Sequence, residues 1–168
     1  MSTPTTSATS ATSTTSATST TPTTPTTSAT PTVRPLTTRE ADALIEAAVR
    51  AADGLGVRGS ITVLDAGGQL LGFRRDDTAV LISGETSTRK AYTALQLDAP
   101  TADLVDLVRP DGLFHTLPTA LDRPLLFIAG GVPLHRDGRL IGALGFGGGA
   151  PEQDHRIVTA AIAESDLG

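Results

Sequence analysis

The chain contains no cysteine and no tryptophan, and only one lysine, one tyrosine and one methionine. Without cysteine there is no disulfide framework and no thiolate metal centre. No apolar run approaches the roughly 20 residues that a membrane-spanning helix requires. The N-terminus lacks the basic and then apolar segments of a secretory leader. These absences read as a cytoplasmic protein with no membrane partner. Basic clusters are also missing: 13 Lys and Arg face 18 Asp and Glu, for a formal net charge of −5. An acidic surface does not displace counterions from phosphates, so nucleic acid is excluded as a partner.

What is present is unevenly spread. Residues 1 to 33 are almost wholly Thr, Ser, Ala and Pro, and Arg34 is the first charged side chain. Such a segment cannot bury enough apolar surface to offset the entropy of ordering it. Residues 1–35 therefore read as a disordered tail, and residues 36–168 as a single domain with one core.

Within the domain, Thr37 and Glu40 have the spacing of a capping box. Ala41, Leu44, Ile45, Ala48, Val49 and Ala52 then recur at helical period until Gly54 and Gly56. Ser60–Asp65 and Gln69–Arg74 flank Ala66-Gly67-Gly68 as a hairpin. Helices are expected over Ser83–Leu97 and Pro100–Val108, followed by a loop through Leu121. Pro124–Ala129 reads as a short apolar strand. Val132–Arg136 and Arg139–Leu144 flank Asp137-Gly138, a strong hairpin signal. A last helix starts at Pro151, with Glu152 and Asp154 matching the positive end of its dipole. Successive hairpins imply an α+β fold with a mainly antiparallel sheet flanked by helices. Gly145-Phe146-Gly147-Gly148-Gly149-Ala150 fits the glycine pattern of a dinucleotide loop. Its strand belongs to a hairpin, however, and too few residues follow for a second parallel strand.

Val63–Gly68, Lys90–Ala94, Gly130–Leu134 and the run from Ile141 through Gly148 to Asp154 occur in the order seen in the GlcG/HbpS family, which this chain resembles over about residues 36–164. The family is related to the C-terminal domain of PduO-type proteins. The resemblance implies a profilin-like sandwich, assembly into homo-oligomers, and a function in binding or processing haem or a related tetrapyrrole. The chain departs from the family's pattern in the loop 113–124, where Phe114-His115-Thr116-Leu117 replaces a more glycine-rich stretch.

His115, in a loop beside Phe114, is the candidate ligand for haem iron; the alternative is a loop histidine bonded to backbone. Phe114, Gly130, Gly131, Gly147 and Gly148 are the other candidate cofactor contacts. His135 sits at a hairpin tip and reads as solvated, and His155 reads as a partly buried structural residue. The three histidines lack metal-binding spacing. Lys90 is the second chemical candidate, since a buried lysine serves acid–base or Schiff-base chemistry; the alternative is a helix residue paired with Glu85 or another acid. Paired with Glu152 or Asp154, Lys90 supports another reading: a small-molecule enzyme acting on a carboxylic or hydroxy acid. Self-association is expected on physical grounds too. Four Phe and one Tyr close a core poorly, while apolar helix faces and open sheet edges ask for cover.

Overall fold

The computed structural model describes residues 33–165 and 167. Most of the expected tail therefore lies outside the described residues. Its last three residues, 33–35, are attached to the domain. Val33 packs on the core, and Arg136 Nη1 donates to the carbonyls of Arg34 (2.7 Å) and Pro35 (3.2 Å).

Helix α1, Thr38–Leu55, opens on the capping box the spacing predicts and closes on Gly56 in the left-handed conformation. Strands β1 (Ser60–Asp65) and β2 (Leu70–Arg75) form the first hairpin, β3 (Gly131–Arg136) and β4 (Arg139–Gly147) the second. Both turn residues of the second hairpin, Asp137 and Gly138, have positive φ (51° and 72°). This is the geometry that lets a two-residue turn follow strand twist. The sheet order is β2-β1-β4-β3, antiparallel at every pairing. Helix α2 spans Ser83–Leu97, a 3-10 helix Thr101–Val108, a single turn α3 Leu117–Ala120, and α4 Pro151–Ala163.

Strand alternation divides the two faces. Ile61, Val63, Leu144 and Phe146 join α1 and α4 in the main core. The opposite residues, Ser60, Thr62, Ala143, Gly145 and Gly147, face α2. They are small or hydroxylic, so α2 lies close against the sheet. A Cβ on Gly145 would collide with the Ser87 carbonyl, one on Gly147 with Thr86 Oγ1, and one on Gly131 with the Lys90 carbonyl. The hydroxyls pair across this interface: Ser60 with Ser83 at 2.8 Å and Thr62 with Ser87 at 2.9 Å. Buried polar atoms are satisfied there without lengthening the contact.

Pro124–Ala129 is not a strand. Its apolar pattern comes from Leu125 and Phe127, which pack with Leu104, Tyr92 and Leu117 in a satellite cluster beside α2. Its backbone is held by a side chain, Leu126 N donating to Thr93 Oγ1 at 2.8 Å. Sheet-side pairing starts only at Gly130, whose carbonyl accepts from Phe146 N at 2.8 Å. Burial beside a helix and burial in a ladder give the same short apolar run, and periodicity alone does not separate them.

Candidate functional site

Lys90 sits at the middle of α2, where the sheet approaches the helix backbone. Its partner is Asp154, in the first turn of α4. Lys90 Nζ donates to Asp154 Oδ2 at 2.6 Å, and the two side chains are 4% and 2% exposed. Asp154 Oδ1 accepts from Gly149 N at 2.8 Å. Burial pushes the Asp154 carboxyl above its ordinary range, while the Lys90 ammonium and the backbone amides of Gly149 and Gly148 pull it back. Gly130, at φ 122°, gives the pair room: a Cβ there would lie 2.7 Å from Asp154 Cβ and 3.1 Å from Lys90 Nζ. A cavity of about 270 Å³ opens beside the pair, walled by Val80, Ile82, Ile128 and Pro151 and floored by Lys90 and Asp154.

Ile128 and Pro151 also line a second, larger concavity of about 660 Å³. Ala102 and Val105 of the 3-10 helix, Phe127 and His155 complete its wall, with Glu152 and Arg156 exposed at the edge. His155 is half-buried, and its Nδ1 is buried with no hydrogen-bond partner among the described residues. A buried nitrogen left without a partner costs about 1–3 kcal/mol.

The structure thus brings Lys90 and Asp154 together and leaves Glu152 exposed, apart from the pair. Glu85 is not the partner of Lys90; it pairs with Arg89 one turn away along α2. His115 and Phe114 are exposed in the loop after the 3-10 helix and line neither concavity. His135 is not merely solvated: its Nε2 lies 2.8 Å from Asp98 Oδ1. Gly131 and Gly147 are spent on the approach of α2. Gly148 (φ 142°) passes close to the Arg58 carbonyl and also lines the smaller cavity. Among the described residues no cluster of three or more His, Asp or Glu is placed to hold a metal ion. The larger groove is not written in any local stretch of the sequence. Its walls come from three segments far apart in the chain, and the only local signal was the pair of half-exposed apolar residues Val105 and Ile128.

Residues 36–163 match the family described as haem-degrading protein HbpS-like. The corrinoid adenosyltransferase PduO of Salmonella typhimurium is 38% identical over 125 residues, which cover 74% of this chain and 37% of that protein. The chain therefore spans under two-fifths of that relative. Among solved structures, a PduOC–haem complex superposes with a TM-score of 0.77 at 36% identity, covering 80% of this chain and 98% of that one. A double mutant of HbpS from Streptomyces reticuli gives 0.70 at 30% identity, covering 87% and 97%. A match across the whole folded domain, shared by sequence and by backbone, makes this chain a member of the HbpS-like family.

Proposed function

We propose that this protein binds a haem-type tetrapyrrole in the groove between the 3-10 helix, the segment 127–129 and the start of α4. The observation that carries this is the groove itself. It is apolar on its walls, of a size typical for cofactor clefts (about 300–1,000 Å³), and has one imidazole in the wall. Val105, Phe127, Ile128 and Pro151 would cover the ring faces, and Arg156 at the edge offers a cation to the ring's carboxylates. His155 is the side chain of this wall with a nitrogen suited to iron. The haem-bound PduOC relative supports the reading. Bound iron would supply redox and ligand-exchange chemistry; the chain's own part is to exclude water, orient the ring and present the imidazole. Processing of the bound group, as the family's description has it, is the finer form of the same reading.

Haemin titration tests it. A Soret band shifted from free haemin, saturating at a fixed stoichiometry, is the expected result. His155→Ala should change that band and His115→Ala should leave it. Ile128→Asp, at a position already exposed, should weaken binding by roughly tenfold or more, because a carboxylate would be desolvated against the ring. A spectrum indistinguishable from haemin with an unrelated acidic protein would end the proposal. A change confined to His115→Ala would move the ligand to the loop.

A further inference from the structure

The pair Lys90–Asp154 has no task in the groove just described, and its stereochemistry is unfinished. An ammonium has three N–H donors. Here one goes to Asp154, and among the described residues no acceptor is recorded for the other two. The side chain is almost wholly buried, so bulk water does not serve them freely, and it borders a cavity of about 270 Å³. The remaining wall groups are committed elsewhere: Ser83 Oγ to Ser60 and Thr86 Oγ1 to the Ser83 carbonyl. Val80, Ile82 and Ile128 make the mouth apolar. An amine, a carboxylate 2.6 Å from it, an apolar entrance and room for a few heavy atoms are the parts of an imine-forming site.

We infer that the cavity beside Lys90 and Asp154 receives a small aldehyde or ketone, which condenses reversibly with the Lys90 amine. Asp154 takes a proton from the ammonium, and the freed nitrogen attacks the carbonyl carbon. One of the two protons left on the amine moves to the carbonyl oxygen, giving a neutral amino alcohol; Asp154 returns its proton to that hydroxyl, which leaves as water, while the second amine proton stays on nitrogen. The product is a protonated imine. Its positive charge still faces the Asp154 carboxylate, so the buried pair keeps its balance throughout. Burial favours this exchange, because it raises the proton affinity of Asp154. The inference does not depend on tetrapyrrole binding: the two cavities share Ile128 and Pro151 as walls, but Lys90 and Asp154 border only the smaller one.

Lys90 is the chain's sole lysine, and this makes the test direct. Native protein is treated near neutral pH with acetaldehyde and cyanoborohydride, and alkylation is mapped by peptide mass at Lys90 and at the chain's α-amino group. An ordinary lysine, with a pKa near 10.4 against about 8 for an α-amino group, labels several hundredfold more slowly than that group. The expected result is the reverse order in the native protein, with the ordinary order restored in denaturant. Asp154→Asn should slow labelling of Lys90 by roughly a hundredfold while leaving the α-amino group unchanged. If that variant fails to fold, the native-against-denatured comparison still decides. Native labelling of Lys90 slower than that of the α-amino group, or none at all, would overturn the inference and leave a structural ion pair. A failed haemin titration would leave it untouched.

Discussion

Glu40 shows how one residue gathers local and distant forces. Its Oε2 accepts from Thr37 N (2.9 Å) and Thr37 Oγ1 (2.8 Å), while Oε1 accepts from Arg34 Nη2 (2.7 Å) and Arg136 Nη2 (2.6 Å). The Arg34 guanidinium hydrogen-bonded to it, helped by Thr37 and Arg136 against some desolvation, holds the carboxyl down to about 2. A carboxyl lowered in the folded state contributes stability above its unfolded range, and that contribution fades as pH falls toward the folded value. Glu40→Ala should therefore cost about 1–2 kcal/mol near neutral pH, the scale of a lost helix cap. The gap between variant and parent should shrink between about pH 4.5 and 2, the window set by the free and folded carboxyl values. Urea midpoints at pH 7, 4 and 3 measure this; a gap unchanged at pH 3 would mean the charge is not its source. The box itself was legible from a three-residue spacing. The Arg136 contact was not, since it joins residues 96 apart. Lys90 tells the same story: its isolation could be read, its partner 64 residues away could not.

At the level of elements, the apolar side of α2 is short, made of Ala91, Ala94 and Leu95. The structure shows why the face needs so little. With Ala143, Gly145 and Gly147 opposite, the helix gains contact by nearness, and hydroxyl pairs do the rest. This predicts opposite signs for one chemical change. Gly145→Ala would press a methyl into the α2 backbone and should cost at least 1–3 kcal/mol, the usual price of overpacking. Gly54→Ala, exposed in the last turn of α1 with open space around it, should gain about 0.5–1 kcal/mol by helix propensity. Denaturant unfolding of both variants decides it; equal effects would mean α2 can shift outward at little cost. Pro124–Ala129 is the element the sequence misplaced, and the groove is framed by that irregular segment. The two failures have one origin: neither its neighbours nor its hydrogen bonds are local.

For the whole molecule, one run of exposed apolar residues among those described lies at the smaller cavity, which Val80, Ile82 and Ile128 line. Val80, Leu81 and Ile82 are consecutive and outward, Leu81 at 83% exposure, with Ile128 across the opening. A patch of this kind on a small acidic domain calls for cover, and self-association is the expected form. Light scattering on the full chain and on one beginning at Thr32 should report the same multimer, since the Thr- and Ser-rich segment has nothing apolar to add. Leu81→Asp should shift it toward the monomer without loss of helix signal, because no core contact is removed. A monomer at tens of micromolar in every form would refute the expectation, and loss of the multimer only on shortening would assign assembly to the segment before Thr32.

Period and punctuation alone determined that this chain has a helix after Thr37, two hairpins, a helix into Leu97 and another from Pro151, and hence an antiparallel α+β sandwich. Those signals are local, written in side-chain alternation, caps and turn residues whose preferences hold before any tertiary contact forms. The order of blocks was enough to place it beside its family. Only the tertiary structure decided which acid meets Lys90, that His155 rather than His115 lines a cofactor-sized groove, and that Leu125 and Phe127 are core without being strand. The contacts that decide these points join distant segments, such as Lys90 with Asp154 across 64 residues and Thr93 with Leu126 across 33. The free energy of such contacts comes from excluding water between surfaces that no local pattern brings face to face.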